Sequence, residues 1–331
     1  MLRVSRRDFL RLAGGVAATT ALPAPALAGM LDQLFRSTPK LRSALTPNDE
    51  FYVTSYQNPP DIRIEQWSLS IAGLVEGPLT LTYPQLTARP AISEIVTLEC
   101  VGNGLAADAI STAQWEGVLL KTLLEEAGVS SQGMDVVFRA ADGYSDSIPL
   151  ERVMQGDVLV AHRMNGVVLP RGHGFPARII APGIYGMKNV QWLTEIEVVG
   201  QDYKGYYQQK GWSDEAIVKT SSHIDLPGHG GVIKGSTTVV QGYAFAGTRG
   251  IRQVEVSTDG GETWNAAALE PELASAAWRF WRYQWTIPKS GRYTLQVKAT
   301  DGTGRRQITE EQAAFPDGAG GLHEITVSVH A

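Results

Sequence analysis

Apolar and polar positions alternate with a period of two along much of this chain, and only short stretches repeat at helical spacing. Trp67-Ser68-Leu69-Ser70-Ile71 has the alternation of a half-buried strand. Ile95-Val96-Thr97-Leu98 is continuously apolar, as a strand buried on both faces would be, and runs into Glu99-Cys100 and the loop Val101-Gly102-Asn103-Gly104. Residues 135–138 and 157–161 read as further strands. Tyr83-Pro84-Gln85-Leu86 reads as the start of a short helix, and residues 119–127 carry apolar side chains at helical spacing up to Gly128, which suits a left-handed cap. The first half therefore predicts a mixed α+β domain without regular βαβ units.

The pattern changes past the turn cluster Pro227-Gly228-His229-Gly230-Gly231. Strand signals then recur over residues 237–244, 251–257, 278–286, 291–299 and 324–329, with few helical signals between them. Asp259-Gly260-Gly261 and Ser290-Gly291 read as hairpin turns. This spacing predicts an all-β, immunoglobulin-like sandwich without its paired cysteines. Trp278, Trp281 and Trp285 fit either the core of that sandwich or a self-association surface.

Ahead of both regions, Ser5-Arg6-Arg7-Asp8-Phe9-Leu10 is a twin-arginine pattern, followed by a weakly apolar run and the small-residue signature Ala26-Leu27-Ala28. The expected organisation is a leader over 1–28 cleaved near Ala28, a flexible lead-in over 29–46, a first domain over 47–224 and a second over 225–331. Export by the twin-arginine route implies the periplasm. No later run of about 20 apolar residues occurs, so the processed chain is not expected to be membrane-embedded.

Composition narrows the chemistry. The net charge is −5, and the leader carries four arginines against one aspartate, so its removal makes the remainder more acidic by three. That balance argues against nucleic acid as a partner. A single cysteine among 331 residues excludes an internal disulfide and any multi-thiolate metal site within one chain. On composition alone Cys100 fits a buried core thiol as well as a ligand.

Two segments carry a resemblance. Leu98-Glu99-Cys100-Val101-Gly102-Asn103 resembles the metal-ligand loop of the sulfite oxidase family. So does the segment from Met164-Asn165-Gly166 and Leu169-Pro170 through His173-Gly174-Phe175-Pro176-Ala177-Arg178 to Val190-Gln191-Trp192-Leu193. Gly242-Tyr243-Ala244 and residues 254–264 are similar to that family's C-terminal dimerisation domain. The resemblance implies a molybdenum–molybdopterin cofactor in its mononucleotide-free form, Cys100 as metal ligand and a homodimer. It also implies pterin contacts from Asp142, His173, Arg178 and the backbone of Lys188, Asn189, Val190 and Gln191. A soft thiolate suits such a metal, and a planar guanidinium suits a phosphate. Asp142, in Ala140-Ala141-Asp142-Gly143-Tyr144, fits an ordinary turn equally well.

The resemblance fails where a cationic substrate pocket is expected. Thr54-Ser55-Tyr56 stand where arginine, asparagine and histidine belong, and Gly104-Leu105 where another arginine belongs. His162-Arg163 replace a tyrosine, and Arg249 alone matches a pocket arginine. His162 is then a candidate proton donor or simply a packed substitute. These departures disfavour sulfite itself. The expected function is two-electron or oxygen-atom transfer on a small sulfur compound. With no haem or second cysteine motif present, the electrons would pass to a separate c-type cytochrome. A reductase of a neutral S- or N-oxide and a non-catalytic binding module are the alternatives.

Overall fold

The computed structural model describes residues 42–330; the expected leader and the lead-in before residue 42 lie outside the described residues. The chain forms two compact units. One comprises Pro47–Cys100 and Ala113–Ala216, and the other Val101–Thr112 and the residues from Ile217 onward, with the segment ending at Thr46.

The first unit is built on two sheets. One contains β1 (Ser68–Gly73) and β2 (Leu79–Thr82); the second begins with β3 (Ile92–Glu99) and β4 (Ile110–Leu119). The first is completed by β5 (Asp135–Ala140), β6 (Ser145–Pro149) and β10 (Leu193–Val199), in the order β2-β1-β10-β5-β6, with β1 and β10 parallel. Leu69 and Ile71 are wholly buried on β1, as the alternation requires. The second sheet adds β7 (Leu159–Met164) and β8 (Val167–Val168) in the order β3-β4-β7-β8, with β9 (Arg178–Ile180) paired to β7.

The helices of this unit are short: α1 (Tyr83–Thr87), α2 (Leu120–Glu126) and α3 (Leu150–Val153). Gln85 accepts from the Thr82 backbone N–H at the start of α1, and Gly128 takes φ +67° just past the end of α2, as its sequence demanded. The unit is thus more strand-rich than the α+β expectation, because helices of one or two turns serve only to connect strands.

The second unit is all β: β11 (Ser221–Leu226), β12 (Val232–Lys234), β13 (Thr237–Phe245), β14 (Ile251–Ser257), β15 (Asn265–Ala266), β16 (Ala268–Leu269), β17 (Arg279–Thr286), β18 (Gly291–Asp301) and β19 (His323–His330). They form one sheet ordered β11-β13-β17-β16 and another ordered β12-β19-β18-β14-β15. A single apolar core joins Ile224, Val240, Ala244, Trp281 and Trp285 of the first to Val254, Val256, Leu295, Val297, Ile325 and Val327 of the second. Trp278, Trp281 and Trp285 are all buried, so their apolar area goes into the interior and not to a surface.

Three expectations change. Ser290-Gly291 is not a hairpin, because the flanking β17 and β18 lie in different sheets. The boundary expected at 224/225 falls inside β11, whose ladder with β13 keeps it in the second unit. Residues 42–46 are fixed instead of mobile. Arg42 pairs with Asp108 at 2.6 Å and Asp225 at 2.9 Å, and its guanidinium lies 4.8 Å from the Tyr243 ring centroid. Trp278 Nε1 donates to the Ala44 carbonyl at 3.1 Å. A long cation stacked on aromatics and paired with two carboxylates holds a segment that looks featureless as sequence.

Candidate functional site

Cys100 follows β3 directly, where the apolar run Val96–Leu98 anchors the strand and the loop begins; it forms no disulfide and is half-buried. Beside it lies a small aromatic shelf. Phe51 stacks on Tyr52 with ring centroids 5.5 Å apart, meets Trp115 edge-on at 5.6 Å and meets His173 edge-on at 5.4 Å. Trp115 is locked by its indole N–H on the Val96 carbonyl at 3.2 Å. Arg178 lies over the Trp115 ring. Tyr52 interacts electrostatically with Cys100, Arg178 and Glu99, and burial pushes its phenol well above the usual tyrosine range.

Arg178 is buried at the start of β9. Nη1 donates to the His173 carbonyl and Nη2 to the Asn189 carbonyl, both at 2.9 Å, while Nε has no partner. Among the described residues no carboxylate pairs with it. Burial therefore lowers its basicity to about 10, opposed only by Tyr52. A buried unpaired cation costs several kcal/mol, on the order of the penalty for stranding half of a buried ion pair, unless an anion reaches it.

His173 shares this environment. Nε2 stands 2.7 Å from the Asn48 carbonyl, so that nitrogen carries the proton, and Nδ1 is buried with no partner. Burial holds its basicity below the usual histidine range, so the ring is neutral and presents a lone pair at Nδ1. The ring can therefore act as an acceptor toward a ligand.

His162 has a different origin. Along the β4–β7 ladder, Glu116 faces Arg163 and Gly117 faces Ala161, which leaves His162 as the extra residue of a β-bulge. A side chain on residue 117 would lie 2.3 Å from the Val160 carbonyl oxygen, so glycine is required opposite the bulge. His162 is buried, neither ring nitrogen has a partner, and burial lowers its basicity. Its neighbour Arg163 caps the hairpin, with Nη2 donating to the Gly166 carbonyl.

Other expected residues are engaged within the protein. The Lys188 ammonium donates to Asp146 at 3.0 Å, the Ser147 carbonyl at 2.8 Å and Asp214 at 3.1 Å, which uses all three of its protons. Asn189 accepts from the Ala181 N–H and donates to the Ile184 and Tyr185 carbonyls; the backbone N–H groups of Lys188 and Asn189 close a turn on Tyr185 and Gly186. The side chains and backbone N–H groups at both positions are thus engaged in shaping the loop. Val190 accepts from the Ile179 N–H through its carbonyl, and Gln191 is half-buried. Asp142 accepts from the Tyr144 N–H at 3.0 Å and the Gln57 N–H at 3.3 Å, the pattern of an ordinary turn. Tyr56 packs on Tyr206 at 4.6 Å and on Tyr144 at 5.9 Å.

In the second unit, Arg249 donates from Nε to Asp301 at 2.8 Å and from Nη2 to the Val218 carbonyl at 3.0 Å and Thr220 at 3.2 Å. Its charge is already offset by a buried carboxylate. Among the described residues no cluster of three or more His, Cys, Asp or Glu side chains forms a ready-made metal site, and no helix is long and apolar enough to cross a membrane.

The unsatisfied groups fit the expected cofactor. A molybdopterin carries a phosphate that would suit an unpaired guanidinium and ring N–H donors that would suit a bare imidazole nitrogen, and its dithiolene sulfurs would supply metal ligands beside a single thiolate. Tyr52, Phe51 and Trp115 belong to this site but escaped the sequence reading, since aromatic residues are more often plain core.

Comparison with known proteins agrees. Residues 56–207 match the family described as oxidoreductase molybdopterin binding domain, residues 215–313 the Mo-co oxidoreductase dimerisation domain, and residues 3–23 the twin-arginine translocation pathway signal sequence. Mitochondrial sulfite oxidase of Macaca fascicularis is 33% identical over 306 residues, 78% of this chain and 56% of that protein. Sulfite oxidase of Gallus gallus is 32% identical over 306 residues, 78% of this chain and 66% of that protein. The chain spans about half the length of most of the curated relatives it matches. Among solved structures, the sulfane dehydrogenase SoxCD from Paracoccus pantotrophus superposes with a TM-score of 0.75 at 23% identity, covering 94% of each chain, and shows the same fold. The chain carries a twin-arginine export signal and belongs to the sulfite oxidase family of molybdopterin-dependent oxidoreductases.

Proposed function

We propose that this chain is a periplasmic enzyme that moves two electrons, or an oxygen atom, between a molybdenum–molybdopterin group and a small, weakly charged sulfur compound. A separate c-type cytochrome takes the electrons, and the 215–313 region mediates a homodimer. The observation that carries the reading is Arg178, a buried guanidinium with no carboxylate beside it among the described residues, which shares the electrostatic neighbourhood of Tyr52 with Cys100.

Cys100 would hold the metal, Arg178 would meet the pterin phosphate, and His173 would accept from the pterin through Nδ1. Val190, Gln191 and Asp142 complete the contacts from the adjoining turns. When bound, the group supplies the two-electron chemistry, and the protein supplies position and electrostatics. The Phe51–Trp115 shelf keeps water from the guanidinium and strengthens its grip on an anion. His162, buried and neutral, holds or releases a proton at a ring nitrogen during turnover.

The substrate is not sulfite. A dianion needs several charge-assisted donors at roughly 1.5–3 kcal/mol each, whereas Thr54, Ser55 and Tyr56 offer no charge and Arg249 is paired with Asp301. A sulfane-type sulfur, the substrate class that the name sulfane dehydrogenase gives for SoxCD, needs less dehydration. The same lack of cations favours a second reading, reduction of a neutral S- or N-oxide.

The test is purification of the exported protein from molybdenum-supplied cells, with metal and pterin analysis and a substrate screen against cytochrome c. Oxidation of sulfane compounds well above sulfite supports the proposal. Protein free of molybdenum and pterin would leave a binding module, and turnover of sulfoxides with a reduced dye would select the reductase.

A further inference from the structure

Tyr52 has a hydroxyl in an unusual place. A β-carbon built on residue 186 would stand 2.7 Å from that hydroxyl and 3.3 Å from the Glu99 carbonyl oxygen. The hydroxyl is therefore packed against bare backbone, close to the residue that immediately precedes Cys100. Gly186 does not adopt a left-handed φ, so glycine stands there for space and not for conformational freedom. The position is rigid on both sides. The Tyr52 ring is stacked on Phe51, and the Gly186–Lys188 turn is closed by Asn189, whose side-chain amide binds the Ile184 and Tyr185 carbonyls. The electrostatic partners of the phenol are Cys100, Arg178 and Glu99. With the thiol ionised by a bound metal, a phenol O–H is the one neutral donor among these groups.

We infer that Tyr52 is a positioning residue for the metal-binding thiolate, its hydroxyl donating to the Cys100 sulfur through the space left open by Gly186. The inference rests on Cys100 being the ligand. A hydrogen bond to a ligand sulfur draws electron density from it, weakens its donation to the metal and raises the reduction potential. Stacking on Phe51 fixes the ring, so loss of the hydroxyl alone leaves the shelf intact.

The experiment compares wild type, Tyr52→Phe, Gly186→Ala and the double variant as loaded enzymes, with Cys100→Ser as the control. Molybdenum content, the reduction potential and the Mo(V) paramagnetic resonance signal are read. Tyr52→Phe is expected to keep its metal, shift the potential negative and change the resonance signal. Gly186→Ala should shift the potential in the same direction, because its methyl displaces the hydroxyl, and the double variant should match Tyr52→Phe alone. An unchanged potential and signal in fully loaded Tyr52→Phe would overturn the inference, as would additive shifts in the double variant. An unchanged Mo(V) signal and potential in loaded Cys100→Ser would instead overturn the reading of the ligand.

Discussion

The Arg178 guanidinium lies over the indole of Trp115, 5.1 Å from the ring centroid, and this contact explains how an unpaired cation survives inside the first unit. The ring face offers partial compensation worth about 0.5–2 kcal/mol, and two backbone carbonyls accept from Nη1 and Nη2. Neither is a counter-ion. The site is therefore poised to be completed by an anion, and that makes several outcomes measurable.

Arg178→Met should lower molybdenum and pterin content, yet raise the stability of cofactor-free protein by about 1–3 kcal/mol, since the stranded charge disappears. Urea unfolding of unloaded protein, beside metal analysis, checks both halves. A loss of stability in the unloaded variant would mean that the arginine is satisfied within the chain.

Cys100→Ser should abolish turnover and change the Mo(V) resonance signal while changing unfolding free energy by no more than about 1 kcal/mol, because the replacement is nearly isosteric and half-exposed. Activity, the resonance signal and a denaturation curve on the same metal-loaded preparation suffice. A substituted protein with wild-type turnover and an unchanged signal would remove the ligand assignment.

His323 stacks on His223 with centroids 3.8 Å apart. Burial first, then His223, His229 and Arg42, hold its basicity well below the usual histidine range. The unfolded chain takes up a proton near pH 6.5 while the folded ring does not, so stability falls as pH drops below about 6.5. The decline continues until the folded ring itself is protonated. His323→Gln should flatten that slope; an equal slope in both proteins would exclude the ring as its source.

Asp301 carries the opposite sign of the same argument. Burial alone would raise its carboxyl, but Thr303 and Arg249 hold it down to about 2. Its stabilising effect, on the order of 2 kcal/mol, is present above the usual carboxylate range and lost as pH falls toward 2. Asp301→Asn should therefore destabilise at neutral pH and converge with wild type in acid.

Much of the fold was legible because it is local. The β14 signal over 251–257 became Ile251–Ser257, and the helical spacing before Gly128 became Leu120–Glu126. Periodicity says which face is apolar, but it does not say which sheet a strand joins, and Ser290-Gly291 therefore misled: it links strands of different sheets. The candidate site divides in the same way. Cys100, His173 and Arg178 were named from contiguous motif, but only the structure shows that Arg178 Nε and His173 Nδ1 lack a partner while the Lys188 and Asn189 side chains are engaged within the protein.

By itself the sequence determined the export address, the strand periodicity, the single thiol after a buried strand and the guanidinium of the His173–Arg178 segment, all properties of neighbours along the chain. Only the tertiary structure decided which polar groups are left without a partner. Lys188 meets Asp146 from 42 residues away, Arg42 meets Asp225 from 183 residues away, and Arg178 meets no carboxylate among the described residues. Pairing of charges depends on how the backbone returns on itself, and no local pattern encodes that. Burial then turns the difference into chemistry, because a charge removed from water must find its complement in the protein or in a ligand.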